Sequence, residues 1–501
     1  MSTQTAAHET RIVIIGGGFS GLGMAIRLRE RGIEDFVILE RAADHGGTWR
    51  DNSYPGCACD VQSSLYSFSF APNPDWTHSY APQAEIWAYL RKCATAYDID
   101  RHFRFGQNVI SAQWDDTQQR WRVHTESDRW NASAVVMASG PLSEPVLPDI
   151  PRLDAFAGPM FHSAQWNHEL ELRGKRVAVI GTGASAIQFV PQIQPSVGHL
   201  DIFQRTPPWL MPRDDAEVPE WRKSLHRAVP FTQRAVRAVL YLQRELLHVP
   251  FRIPRAARVV EWVSRRHMQS QISDPALRAK LQPDYRIGCK RILVSDDYYP
   301  ALRQPNVSLI TDTIVSIEAD GVRTATGALH TADVIVLGTG FRATDPPLAP
   351  VVVGREGVSL AQTWNGSPQA YMGTTVAGFP NLFMLLGPNT GLGHSSVLLM
   401  IEAQIDHVLG VLALLRDRGA GSAEPLQSAQ NSFVAGVDER LASTTWNAGG
   451  CSSWYLDRTG RNSTIWPDGV GHFRRTVSTV DAAAYRFELR RATTDIQHPR
   501  A

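Results

Sequence analysis

The chain is short of cysteine, of net charge and of long apolar runs, and each shortage excludes something. Five cysteines in 501 residues, odd in number and scattered, give no disulfide framework and point to a reducing cytoplasm. Cys57 and Cys59 are the one close pair; their spacing is rare for metal ligands, so they read as free thiols and no metal is expected. Fifty Lys and Arg against 49 Asp and Glu leave a formal charge of +1, which fits neither a nucleic-acid binder nor a disordered acidic chain. No run of about 18 apolar residues reads as a membrane span. The first residues, MSTQTAAHETR, lack the apolar core of a signal peptide. There is no low-complexity segment and no repeat beyond two units described next. The remaining composition, 43% apolar and 20% charged, suits a soluble globular protein of two or three domains.

Two segments carry nucleotide-binding spacing. RIVIIGGGFSGLGMAIRLRERG reads as a buried strand, a G-x-G-x-x-G turn at Gly16, Gly18 and Gly21, and a helix that opens at Phe19 and Ser20; FVILE is the next strand. The first two glycines allow a tight turn and close approach to a pyrophosphate, and the third lets helix and strand pack. The pattern recurs in KRVAVIGTGASAIQFV, with Gly181, Gly183 and Ala186 around Thr182, Ala184 and Ser185, followed by the strand LDIFQRT. Glu40 stands 24 residues after Gly16, and Arg205 stands 24 after Gly181. A carboxylate there accepts from ribose hydroxyls and repels a 2′-phosphate; a guanidinium does the reverse. The first site is therefore expected to hold FAD. The second is expected to hold NADPH through Gln204, Arg205 and Thr206.

SAVVMASGP and ADVIVLGTGF end in small residues at Ser139–Gly140 and Gly338–Gly340, which fits chain crossings between two domains. The expected fold is α/β, with two Rossmann-like dinucleotide-binding domains, the NADPH domain inserted into the FAD domain, and a helical insertion. The predicted limits are 1–150 for the first part of the FAD domain and 151–335 for the NADPH domain. The helical insertion falls at about 212–286, and residues 336–501 give the rest of the FAD domain with a C-terminal active-site tail.

At this point the sequence resembles the flavoprotein monooxygenases that use FAD and NADPH, and among them the type I Baeyer–Villiger monooxygenases. FAGPMFHSAQW fits the fingerprint F-x-G-x-x-x-H-x-x-x-W at Phe156, Gly158, His162 and Trp166; Asn167 departs from the Pro or Asp usual next. GGTWRDNSYPGCACD resembles a second fingerprint at Gly47, Trp49, Tyr54, Pro55, Gly56 and Asp60. IGCKRILVSDDYYP resembles the family's Lys-Arg segment at Lys290–Arg291, and GPNTGLGHSS a shared loop.

The resemblance implies oxidation of ketones to esters or lactones with NADPH and O2, through a flavin C4a-peroxide stabilised by Arg291, itself oriented by Asp60. An arginine suits that task because it stays charged and cannot protonate the peroxide. The resemblance also implies that Lys290 meets the 2′-phosphate, that Trp49 and Tyr66 pack on the flavin, and that Asn389 and Thr390 lie along its ring. Thr48, Val109 and Val397 complete the candidate cofactor contacts. His162, with no catalytic partner in its own stretch, lies between the two nucleotide domains and is expected to act there as a hinge. Oxygenation at sulfur or nitrogen remains an alternative reaction. A disulfide reductase would need C-x-x-x-x-C in the first domain, which is missing.

Residues 222–266 carry eleven Lys or Arg against two Glu. Val236, Val239, Leu240, Leu246 and Leu247 give a helix-like apolar stripe, and Pro230, Pro250 and Pro254 break the run into short helices. The expected role is a cover packed over the active site; membrane contact is not expected. The segment NAGGCSSWYLDRTGRNSTIWPDG reads as a lid over the substrate or a surface loop packed by Trp454 and Trp466.

Overall fold

The computed structural model describes residues 7–491; the first six residues of the leader reading and the final ten residues of the tail lie outside it. The apolar strand His8–Ile15 pairs in parallel with Phe36–Leu39 on one side and Arg129–Met137 on the other, in an eight-stranded sheet. Val109–Asp115 and Arg120–Thr125 extend that sheet by an antiparallel hairpin. A second sheet of five strands is wholly parallel, in the order Val307–Ile310, His199–Phe203, Arg176–Ile180, Val334–Leu337, Met160–His162. Strands buried on both faces read as continuous apolar runs, which is why RVAVI and VIVL are legible as such.

The chain leaves the first sheet after Met137 and returns to it with Val352–Val353, which pairs with Val109–Asp115, and then with Leu382–Met384, which pairs with Arg129–Met137. The outward and return crossings run side by side. Val146 N–H donates to the Gly340 carbonyl at 2.9 Å, and Pro145 bridges Phe341. The fold is thus α/β, with two dinucleotide-binding domains, one built into the other.

Helix Val397–Asp417 corrects the reading that no long apolar segment is present. Its 21 residues, with a mean hydropathy of 1.8 over an 18-residue window, are long and apolar enough to cross a membrane. Two-thirds of the apolar window is buried within the protein, and it packs between Phe19–Glu30 and Val470–Val477 as the central core helix.

The insertion forms Glu220–Ala228, Pro230–Leu246, Val249–Arg252, Pro254–Gln271 and Pro275–Leu281. Proline starts three of these helices and occupies the first turn of a fourth, where its missing N–H costs nothing. The apolar stripe divides. Val236 and Leu240 turn inward, whereas Val239, Leu246 and Leu247 lie on the outside.

Candidate functional site

The first glycine loop sits at the carboxyl edge of its sheet, where Gly16 N–H donates to the Leu39 carbonyl. Gly16 has φ +111, and a side chain on Gly21 would run into the Gly16 carbonyl at 1.9 Å. Phe19 and Ser20 are buried in the first turn of the helix. Glu40 is buried beneath this loop, where it accepts from Gly17 N–H at 2.7 Å, Ala42 N–H at 2.9 Å and Arg50 Nη1 at 3.1 Å. A turn with this little room, capped by a carboxylate, fits an adenosine diphosphate carrying free ribose hydroxyls.

Beside that loop, Thr48 opens the turn Thr48–Asp51, and Trp49 Nε1 donates to the Tyr66 hydroxyl at 3.1 Å. Phe19 meets Tyr66 edge-on. Val109 is buried at the start of its strand in the core behind the sheet. Val397 opens the 21-residue core helix, capped by the Ser396 side chain.

The second loop is built alike and finished differently. A side chain on Gly181 would meet the Gly338 carbonyl at 2.4 Å, while Gly183 and Ala184 stay exposed ahead of helix Ala186–Ile193. Ser185 is the helix N-cap residue, and the Thr182 hydroxyl donates to the Thr206 carbonyl at 3.4 Å. Gln204 is buried and donates to the Lys280 carbonyl at 2.8 Å. Arg205 is exposed and makes no ion pair among the described residues. The Lys290 ammonium is pushed below the ordinary lysine value, first by burial and then by the Arg205 charge. Asp284 works weakly the other way, and two neighbouring cations here fit a phosphate monoester.

Asp60 and Arg291, 231 residues apart in the chain, meet. Arg291 donates from Nε at 2.9 Å and from Nη2 at 2.7 Å to the same Asp60 oxygen, and Nη1 points to the Leu392 carbonyl at 3.5 Å. Burial works to raise the Asp60 carboxyl, but the charge and hydrogen bonds of Arg291 hold it below the usual carboxylate range. The Asp60 charge in turn raises Arg291 above the ordinary arginine value. The pair lines a cavity of about 260 Å³. Its other walls are largely apolar and come mainly from the insertion and the flanking Met211 and Ile287, with Leu247, Pro250, Phe251 and Val260.

The fingerprint residues hold the two domains together. A side chain on Gly56 would meet the Gln188 carbonyl at 2.8 Å, and the Tyr54 hydroxyl donates to Gln188 Oε1 at 2.9 Å, so the second fingerprint is seated on the helix of the second loop. Gly158 stands against the Asp333 carbonyl, and Trp166 packs on Phe189 of that same helix.

His162 is not brought to the Asp60–Arg291 pair. It is buried at the end of an edge strand, paired with Leu337, and its Nδ1 accepts from Ala164 N–H at 3.1 Å. Its ring meets Phe341 edge-on and faces the backbone of Gly340 at the return crossing, and burial lowers its basicity. Asn389 is also placed otherwise than expected. Its side-chain amide donates to the carbonyls of Asn462 and Ile465 and accepts from Arg461, so it fastens the tail and has no donor left for a flavin. Thr390 is spent in the same loop on the Gly387 carbonyl.

The reading of Cys57 and Cys59 as free thiols agrees with the structure, and one disulfide departs from the expectation of none. Cys57, Cys59 and Cys93 are free and buried, and burial pushes the Cys57 thiol up to about 12. Cys289 and Cys451, 162 residues apart, form a disulfide that joins the Lys290–Arg291 segment to the tail. An odd total concealed one pair, and a separation of that length leaves no spacing signal. Trp466 of the tail is buried in the core and Trp454 is partly exposed. The tail stands behind Arg291 rather than in the cavity wall. Sequence reasoning also missed Arg244, whose Nε and Nη2 hold Gln62 Oε1 at 3.0 and 2.5 Å on the cavity wall, and the buried His394 beside it. Arg244 belongs to no spaced motif, and His394 lies in the GPNTGLGHSS loop without being singled out there.

The model for the flavin-binding monooxygenase-like family matches residues 9–361. A Baeyer–Villiger monooxygenase of Streptomyces coelicolor is 50% identical over 489 residues, covering 97% of this chain and 94% of that one. Another, of Pseudomonas aeruginosa, is 48% identical over 97% of this chain and 93% of its own. Among solved structures, an oxidised steroid monooxygenase bound to NADP aligns with a TM-score of 0.85 at 31% identity, over 96% of this chain and all of its own. A Rhodococcus cyclohexanone monooxygenase bound to NADP+ aligns at 0.86 and 28%, over 97% of this chain and all of its own. The chain therefore belongs to the flavin-binding monooxygenase-like family, as a relative of its Baeyer–Villiger monooxygenases, and is a flavin-dependent monooxygenase.

Proposed function

We propose that the protein is an FAD- and NADPH-dependent Baeyer–Villiger monooxygenase that takes a ketone and O2 to an ester or lactone. The observation that carries this reading is the Asp60-held Arg291 in the wall of a largely apolar cavity. We assign residues 1–150 and 336–501 to the FAD domain and 151–335 to the NADPH domain.

FAD would be held by the loop Gly16–Gly21, Glu40 and the Trp49–Tyr66 wall, and NADPH by the loop Gly181–Ala186, Arg205 and Lys290. Once reduced by the nicotinamide, bound flavin supplies the activated oxygen. Asp60 fixes the Arg291 guanidinium by two hydrogen bonds to one oxygen, which leaves the Nη1 edge for negative charge. That edge stabilises charge as it develops on the attacking oxygen and on the substrate carbonyl oxygen. Because Asp60 raises Arg291 above its ordinary value, the cation persists at every working pH. The apolar insertion wall keeps water from the reacting atoms and seats the hydrocarbon part of the ketone. His162 positions the crossing between the domains and contacts no substrate.

The test is product identification from a panel of ketones and sulfides, with NADPH consumption measured alongside. Ester or lactone formed in proportion to NADPH supports the reading. Sulfoxide formation with no ester from any ketone would replace it with heteroatom oxygenation.

A further inference from the structure

The insertion helix Pro230–Leu246 is turned inside out relative to a surface helix of a soluble protein. Two of its polar residues face inward: Gln233 is buried, and Arg237 Nη1 donates to the carbonyls of Ser64, Leu65 and Ser67. Its outward positions are Phe231, Ala235, Ala238, Leu242 and Leu246, a stripe at helical spacing with no charge in it. Phe231 is 73% exposed, Leu242 61% and Leu246 71%. The apolar exposure continues along the chain through Leu247 and Ile253 to Val259 and Trp262 of the next helix. A monomeric soluble protein rarely shows so many large apolar side chains in one segment without a partner.

Cations border the stripe. Arg234, Arg255, Arg258 and Arg266 are exposed, and none makes an ion pair or a side-chain hydrogen bond among the described residues. Exposed aliphatic and aromatic side chains beside unpaired arginines match a bilayer interface carrying anionic headgroups, where the apolar side chains sink and the guanidinium groups stay at headgroup level. A second copy of the chain is the weaker fit, because a two-fold contact would set the same unpaired arginines against one another.

We propose that the outer face of the insertion is a docking surface for an anionic lipid bilayer. The prolines that divide the segment do not oppose this, because the outward apolar positions pass from one short helix to the next. The inner sides of the same helices supply Arg244 and Val260 to the cavity wall. A seated insertion therefore places the cavity beside lipid.

The test uses the full-length FAD-loaded protein and vesicles of phosphatidylglycerol with phosphatidylethanolamine, against vesicles of phosphatidylcholine alone. The expected result is roughly tenfold more protein pelleted with anionic vesicles, falling steeply with added salt. The double variant Phe231→Ser/Leu242→Ser touches neither nucleotide loop nor the cavity. It is expected to lose about tenfold of the binding while keeping flavin content and NADPH oxidation. No pelleting of the unaltered protein overturns the proposal, and so does pelleting that survives the double variant. A concentration-dependent dimer in light scattering that the double variant abolishes assigns the face to a second copy and overturns it equally. Because the readout is sedimentation, it stands or falls apart from the identity of the oxygenated product.

Discussion

The two dinucleotide loops share one backbone plan and differ in how their decisive side chain is held. At the first loop, Glu40 is buried and saturated by two backbone N–H groups and Arg50. At the second, Arg205 is exposed and unpaired, and its charge bears on Lys290. A closed, satisfied carboxylate preforms its loop whether or not a nucleotide is present. An open pair of cations gains its partner only when a phosphate arrives. The difference suits a resident flavin at the first loop and an exchanging nicotinamide nucleotide at the second.

The largest expected effect lies where the two halves meet. Arg291→Ala should lower ester formation by about a thousandfold, the scale of losing a donor to a developing oxyanion. Flavin reduction by NADPH should persist, because both loops are untouched. Stopped-flow reduction together with product quantification checks this. Ester formation near the unaltered rate would remove Arg291 from the chemistry and leave the two loops with no shared centre.

The closed character of the first loop is tested by Glu40→Ala. Removing the buried carboxylate leaves two backbone N–H groups without an acceptor and Arg50 with only Asp51 and the Asp44 carbonyl, at a cost of about 2–5 kcal/mol. Flavin content after purification and the denaturant midpoint should fall together. Retention of both would mean the loop is not held by this carboxylate, and the contrast with Arg205 would lapse.

The disulfide gives a smaller effect. Cys451→Ser should lose about 2–4 kcal/mol of stability by freeing a long loop. Flavin content should be unaffected, since neither cysteine touches the first loop. Thiol titration before and after denaturation shows whether the pair is joined; five titratable thiols in the native, unreduced protein would remove the bridge.

Much of this was legible in sequence because its cause is local. Glycine spacing follows from backbone approach, and the contrast between Glu40 and Arg205 follows from a fixed count along one strand–helix–strand unit. The Asp60–Arg291 contact spans 231 residues and was reached through resemblance alone. What was not legible depends on direction and distance. A helical period shows that the Pro230–Leu246 segment is amphipathic, but nothing in the period says which face meets solvent. The core helix Val397–Asp417 is buried over most of its surface, and its narrow outward stripe, with Glu402, Asp406 and Arg416, interrupts the apolar run without showing how deeply the rest is buried. Asn389 was assigned to the flavin because its loop lies near it, yet its left-handed backbone at φ 57 turns the amide into the tail. The Cys289–Cys451 pairing had no local trace at all.

The smallest expected effect probes the open site through pH. Lys290 is lowered by burial and by Arg205, so its charge is present below the lowered value and lost as pH rises through it. NADPH affinity should therefore decline at a lower pH than an ordinary lysine dictates, while NADH affinity, with no 2′-phosphate to lose, stays flat. Arg205→Ala should weaken NADPH by about tenfold, roughly 1.4 kcal/mol, and move the decline to higher pH, because Lys290 regains part of its basicity. The empty protein should respond in the opposite sense. Two like charges held together oppose folding at neutral pH, and the unfolded chain, where Lys290 has its ordinary value, binds the proton more tightly. Stability should thus rise as pH climbs from the lowered value towards the ordinary one. The variant should gain a few tenths of a kcal/mol at pH 7, the scale of a screened surface repulsion. A variant that loses NADPH and stability together would show that Arg205 has an unrecognised partner, and the second site would then be as closed as the first.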